Sequence, residues 1–285
     1  MLSLHTNAAA LSAQNSISKT QAALTTSQTR LSTGFRVNSA MDDAAGLQIA
    51  TRLKAQTSGM AVAMNNTQNS TSMLQTAEGA LNEVTNMLVR MKDLATQAAD
   101  ASSGAADKTA MQSEYDQLGQ ELGNVLNNTT FGGNKLLVGG TVAGPMTFQI
   151  GASATETMTT DLSTQMTAVV TDVGAATSNY AATATGTELT AAGGANGSIT
   201  KLTTAIASVG AVQSALGAAS NRLDHINSNL SNISSNTQAA TGRIMDVDYA
   251  AESSRMTASQ MLLQAGTAML KQSNSQSQMV MSLLQ

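Results

Sequence analysis

The chain has 285 residues, a net charge of −4, 11% charged and 2% aromatic residues, 17 Met, no Trp and no Cys. Lys and Arg are scattered, with no basic run interleaved with aromatics, which excludes a nucleic-acid footprint, and the absence of Cys excludes disulfides and thiolate metal sites. Globular cores usually lean on aromatic anchors, so apolar contacts here must come from Leu, Ile, Val, Ala and Met along thin helix–helix seams.

In chain order, the opening MLSLHTNAAALSAQNSISKT lacks a basic start and a continuous apolar stretch, so no ordinary secretory signal is expected. No apolar run reaches the ~18 residues a membrane span needs. Ala10, Ala13, Ile17, Leu24 and Leu31 form a first helical seam, ended by a turn at Gly34. Ser39 and Asp42 then have capping-box spacing ahead of an apolar run. The helix that follows carries Leu53, Met60, Met64, Leu74, Ala77, Leu81, Val84, Leu88, Met91, Ala95 and Ala98, and stops before the small-residue stretch 101–104. A third helix has Met111, Tyr115, Leu118, Leu122 and Val125 on its stripe and ends near Asn127 and Asn128.

From Phe131 the pattern changes. FGGNKLLVGG and TFQIG, with Pro145 between them, combine Gly turns and short apolar runs that suit β-hairpins. Residues 151–200 are rich in Ala, Thr, Gly and Ser with little periodicity, and read as a loosely specified surface insertion. From Leu202 to Val247 one seam then runs in alternating steps of three and four through Leu216, Leu223, Ile226, Leu230 and Ile233, interrupted by polar character only at Thr237. A stripe repeating every 3.5 residues keeps facing one partner only if helices wind around each other, so this is a coiled-coil strand roughly 70 Å long. After a break at 246–249, a last helix carries Leu262, Ala265, Met269, Met279 and Leu283. Isolated helices of this kind are marginal, so the two termini are expected to pair with each other or with neighbouring subunits.

At this point the residues carry a resemblance. RLSTGFRVNSAMDDAAGLQIA at 30–50, QTAEGAL at 75–81, FGGNKLL at 131–137, QAGTAML at 264–270 and the closing MSLLQ resemble, in order, the motifs of the bacterial flagellins. The resemblance implies a mainly α protein in which N- and C-terminal segments form a long antiparallel coiled-coil bundle, with a small β-hairpin region and a short variable outer insertion. It divides the chain into an inner-core helix at 1–40, the N-terminal part of a rod domain at 41–150, a variable surface segment at 151–200, the long C-terminal rod helix at 201–247 and a C-terminal inner-core helix at 248–285. The look is nearest to short lateral-type flagellins.

The function implied is that of an extracellular filament subunit, exported unfolded through the flagellar type III channel and polymerised with itself for motility. An export chaperone, cap and hook-associated proteins are the implied partners, and no cofactor or active site is implied. The family also has a patch recognised by Toll-like receptor 5. LVRMKDLATQ at 88–97 is similar to it, which carries over Arg90, Leu94 and Gln97, with Glu114 on the adjoining helix. Arg90, Leu94 and Gln97 are spaced to share one helix face off the seam, which the plainer reading makes a solvated helix side. Val89 stands where many recognised members have Gln and Lys92 where many have Arg; Lys keeps the charge but loses the planar fork for bidentate contacts, which would weaken recognition.

Other candidate chemistry has simpler explanations. Asp42 and Asp43 point about 100° apart on a helix, so capping or an intersubunit contact explains them better than a catalytic pair. His5 and His225 have no second ligand at metal spacing, and HExxH is absent. Two rivals remain: a hook–filament junction protein built on the same helical ends, and a secreted adhesin on a coiled-coil stalk.

Overall fold

The computed structural model describes residues 7–180 and 185–283, with side chains of the last helix described through 276. The described helices are α1 (Ala8–Thr33), α2 (Ala44–Ala99), α3 (Ala105–Asn128), α4 (Ser163–Ala176), α5 (Gly194–Met245) and α6 (Tyr249–Leu283). Between α3 and α4 lie two hairpins, β1 (Thr130–Phe131) with β2 (Asn134–Lys135) and β3 (Pro145–Gln149) with β4 (Thr157–Asp161), both antiparallel. The fold is therefore mainly helical with a small β region, as expected from the sequence. The chain divides into two compact units, one up to Thr57 together with Ser235 onward, the other Ser58–Ser234. The division falls inside α2 and α5, so neither boundary coincides with a helix end.

In the second unit, Leu74, Ala77, Leu81, Val84, Leu88, Met91, Ala95 and Ala98 of α2 share one buried cluster with Leu202, Ala205, Val209, Val212, Leu216, Ala219 and Leu223 of α5. The helices run antiparallel: Asn82 accepts from Gln213 at 2.9 Å, Thr67 accepts from Asn227 at 3.2 Å, and Met60 and Ala63 bury together with Leu230. Of the expected seam, Leu202 to Leu223 and Leu230 are buried, and Ile226 is partly buried against them. It fails at Ile233, which is 38% exposed, while Ser234 is buried. An α-helix with 3.6 residues per turn drifts about 20° per heptad against a strict seven-residue repeat, and here the drift moves the facing position from 233 to 234. Although an 18-residue window of α5 has a mean hydropathy of 1.3, sufficient by composition to cross a membrane, its Leu and Val positions are spent on this seam.

Leu94 also departs from expectation. It is buried at 3% exposure together with Met87 in the same cluster. More than two helices meet in that cluster, because Met111, Tyr115, Leu122 and Leu126 of α3 join α2 and α5 there, so the buried arc of α2 is wider than a two-helix seam requires.

The short hairpin forms where the sequence placed it. Gly132 and Gly133 have φ of 58° and 85° between the paired Phe131 and Asn134, and two consecutive positive φ values are what a two-residue I′ turn demands. The segment from 151 to 200 is more structured than its composition suggested. Leu162, Met166, Val169, Val173 and Ala176 recur in steps of three and four along α4 and join the main core, as do Met158, Leu189 and Ala195. The small Ala and Thr residues between them dilute the periodicity without abolishing it. α5 accordingly starts at Gly194, ahead of the visible seam, and Ser208 donates to Asp172 to tie it to α4.

A polar network holds the return from α4 to α5 against α3. Gln112 Nε2 donates to Asp116 Oδ1 at 2.7 Å and to Glu188 Oε2 at 2.8 Å, and its Oε1 accepts from the Leu189 amide at 2.7 Å. Asp116 also accepts from Asn179 Nδ2 and the Gly186 amide. The approach is close: a Cβ at Gly119 would lie 2.5 Å from Thr177 Oγ1, and one at Gly123 2.6 Å from the Tyr180 carbonyl oxygen. Burial raises the Glu188 pKa, but hydrogen bonds from the Ser178 hydroxyl and amide outweigh it and hold the carboxyl below its usual value. A depressed acid stabilises the fold above the ordinary glutamate range and loses that contribution as pH falls through the folded value. Tyr115, its hydroxyl donating to the Ala176 carbonyl at 2.7 Å, is pushed upward by burial.

Three substitutions test this architecture by urea unfolding. Leu216→Ala should cost about 3 kcal/mol, whereas Ile233→Ala should cost under about 1 kcal/mol because the side chain is partly solvated; equal costs would restore the unbroken heptad. Gln112→Leu strands buried partners on Asp116 and Leu189 and should cost about 2 kcal/mol, with new proteolytic cleavage within 185–193. An unchanged cleavage pattern would show that the network does not hold that segment.

Candidate assembly surface

The first unit is built around α1 and α6, whose facing positions are mostly small. On α1 only Leu24 and Ser27 are buried, with Ala10, Ala13, Ile17 and Thr20 partly covered in the same line. On α6 the covered line is Glu252, Met256, Ser259, Leu263, Gly266, Leu270 and Ser273. The helices run antiparallel, since Asn7 Nδ2 donates to the Ser273 hydroxyl at 3.2 Å while Ser27 Oγ donates to Glu252 Oε1 at 2.6 Å near the other end. Between these pairs Ile17 fills the space that Gly266 leaves: a Cβ there would lie 2.9 Å from Ile17 Cγ1.

Glu252 is 3% exposed, and such a carboxylate is costly unless it is partnered. Besides Ser27 it has the Arg255 guanidinium at 3.5 Å and that of Arg30 at 3.9 Å. These residues line a cleft of about 430 Å³ with Ala23, Thr26, Ala258 and Ser259. The interface is thus pinned by polar pairs at both ends, with Ile17, Leu24, Met256, Leu263 and Leu270 set among small side chains between them.

The connections at the far end of this unit are tied together. α1 stops at Gly34, with φ 75° and its amide donating to the Arg30 carbonyl. A short antiparallel bridge joins Phe35 to Asp246. The Arg36 amide and guanidinium donate to the carbonyls of Met245 and Ile244, closing the C-terminus of α5. The side-chain cap of α2 is Asp43, four residues beyond the expected Ser39. Asp42 Oδ2 accepts from the Asn38 and Ser39 amides and closes the preceding turn, while Asp43 Oδ1 accepts from the Gly46 amide at the start of α2. The amides of Ser39 and Asn38 hold the Asp42 carboxyl below its ordinary range. At α6, Asp248 Oδ1 caps the amides of Ala250 and Ala251.

The sequence-read stripe on α6 does not face α1. Leu262 and Met269 are 62% and 66% exposed, next to Met261 at 61%. At about 100° per residue they lie roughly a quarter to half a turn from the Leu263–Gly266–Leu270 line. Two lines therefore run along this helix, one closed by α1 and one open. The closed line escaped the sequence reading because Ser, Gly and Glu stand in it, and only its strict three-four spacing could have revealed it. Met279 and Leu283 lie outside the residues whose side chains are described, as does His5.

Of the residues carried over for receptor recognition, Arg90 and Glu114 form an exposed ion pair at 2.7 Å, with side-chain exposures of 55% and 45%. Gln97 is exposed and Val89 is 44% exposed. Leu94 is not on that face, because it is buried in the core of the second unit.

Residues 4–141 match the bacterial flagellin N-terminal helical region, and residues 199–284 match the bacterial flagellin C-terminal helical region. The chain is 46% identical over 166 residues to polar flagellin F of Vibrio parahaemolyticus, covering 58% of this chain and 44% of that protein. It is 48% identical over 151 residues to flagellin D of Vibrio anguillarum, covering 53% and 40%. The matched stretch thus spans less than half the length of these relatives. A putative flagellar hook-associated protein from Vibrio parahaemolyticus shares the fold, with a TM-score of 0.58 at 16% identity over 72% of this chain and 100% of that one. Two flagellin regions matched at opposite ends of the chain, joined by antiparallel helices, place it in the bacterial flagellin family.

Proposed function

We propose that the chain is the structural subunit of a bacterial flagellar filament, with no catalytic step, and that it works outside the cell after export. The observation that carries this reading is the open stripe of Met261, Leu262 and Met269 on a helix whose opposite line is already closed. Apolar side chains exposed in a row on a two-helix pair mark an interaction surface. In a helical lattice the heterologous contacts of identical subunits cover such stripes and grow without closure. Charge is sparse where the stripe would be buried, with Lys271 the only charged residue in α6 beyond Arg255, so stacked copies meet little like-charge repulsion.

The finer assignments follow the family resemblance. An export chaperone would shield the terminal helices before assembly, a cap would guide them, and hook-associated proteins would meet the filament at its base. The hook–filament junction rival is disfavoured by the flagellin-region matches at both ends, since the likeness to a hook-associated protein is one of fold alone. The exposed Arg90–Glu114 pair with Gln97 is the surface that Toll-like receptor 5 would contact, with Leu94 acting only beneath it.

Seeding with filament fragments, followed by electron microscopy, tests the main reading. The intact chain should extend the seeds, and a chain ending at Leu263 should stay monomeric; fibres from the truncated chain would remove the terminal helix from the mechanism. For the receptor surface, Arg90→Ala with Glu114→Ala should lower activation of receptor-bearing cells at least about tenfold. Thermal stability should change by less than about 1 kcal/mol, since the ion pair is solvated. Full activation by the double variant would exclude this pair from recognition.

A further inference from the structure

The chain has 17 Met and no Cys, so its readily oxidised sulfur is all thioether. Most of the buried thioethers are shut in the second unit, where Met87, Met91, Met146, Met158 and Met166 are at most 6% exposed. Met261 and Met269 differ in that both are open and both flank Leu262 on the uncovered side of α6. Met41 is more open still, at 98%, but it sits in the turn among Ser39, Ala40, Asp42 and Asp43 and belongs to no apolar stripe.

We propose that Met261 and Met269 form an oxidation-sensitive site through which peroxides control addition of the free subunit to its polymer. This rests on the reading of the open α6 stripe as an intersubunit contact. The sulfur lone pair attacks one oxygen of hydrogen peroxide or an organic hydroperoxide. The O–O bond breaks, a sulfur–oxygen bond forms, the thioether is oxidised by two electrons, and the other peroxide oxygen leaves as water or alcohol after taking up a proton. A flexible apolar side chain becomes a polar sulfoxide. Two such groups astride Leu262 would each bring an unpaired acceptor into a contact built from apolar area, a penalty the free chain does not feel because both positions are in water. The effect therefore falls on assembly and leaves the fold of the monomer unchanged. It is reversible, since sulfoxide reductases restore the thioether.

The test uses the intact chain with seeds. Untreated chain must extend the seeds, and failure there would count against the filament reading itself. Monomer treated with hydrogen peroxide until mass spectrometry shows both sulfoxides should need about tenfold or more higher concentration to extend seeds. Assembly at the untreated concentration would overturn the oxidation site while leaving the filament reading intact. Met261→Leu with Met269→Leu, close in volume, should extend seeds with and without peroxide; loss of assembly on peroxide treatment of this variant would assign the effect to other methionines and overturn the proposal. A measurement independent of the variant's own competence is partition of partially oxidised chains. Sulfoxide at 261 and 269 should be depleted at least about fivefold in pelleted filaments relative to the supernatant. Equal partition would be fatal to the proposal.

Discussion

Apolar side chains that recur every 3.5 residues can be closed only along a line, and a line of contact is narrow. The second unit depends on that constraint. α2 and α5 close their stripes on each other from Leu74 to Ala98 and from Leu202 to Leu223, and every other element there is added to this pair. α3 packs where the α2 stripe widens, α4 brings a second three-four line to the same core, and the second hairpin adds Met146, Phe148 and Met158 to it. With 2% aromatics the chain cannot build a thick core around a few large anchors, so it lengthens the seam instead.

A long seam of Leu, Val and Ala has a weakness, because sliding by one heptad would bury nearly the same side chains. Polar contacts remove that degeneracy. Asn82 with Gln213 and Thr67 with Asn227 mark the register of α2 on α5. Ser27 with Glu252 and Asn7 with Ser273 do so for α1 on α6. A slipped register would part the Glu252 carboxylate from Ser27 and Arg30 of α1, leaving only Arg255 of its own helix beside it, and a buried group that loses such partners costs about 1–3 kcal/mol. The seams supply the stability, and these pairs favour one alignment among near-equivalents, most strongly the buried Ser27–Glu252 pair, since register selection is the role best attested for buried polar groups in coiled coils.

How much of this was legible in the sequence depends on what each residue had to signal. Leu216, Leu223 and the α2 stripe were legible because large apolar side chains mark their own spacing. The Gly132–Gly133 turn was legible because few other residues tolerate two positive φ values in succession. Ile233 and Leu94 were misplaced for a shared reason: periodicity specifies a direction from the helix axis but not how many neighbours lie that way. Ile233 falls off a two-helix line that has drifted, and Leu94 is captured by a third helix. The network of Gln112, Asp116, Asn179 and Glu188 was invisible, because it joins residues 63 to 77 positions apart and no local pattern marks such a pairing.

The line that closes α6 on α1 was missed for the opposite reason, and that bears on function. The α1–α6 contact intersperses Ile17, Leu24, Met256, Leu263 and Leu270 with Ser, Gly and Ala, while Met261, Leu262 and Met269 of the same helix face out. Small residues let the two backbones approach but bury little area, so the pair by itself is weakly stabilised. A second set of large apolar side chains stays on the outside, where only another molecule can cover it. Folding of the terminal helices and association of subunits then draw on the same free energy.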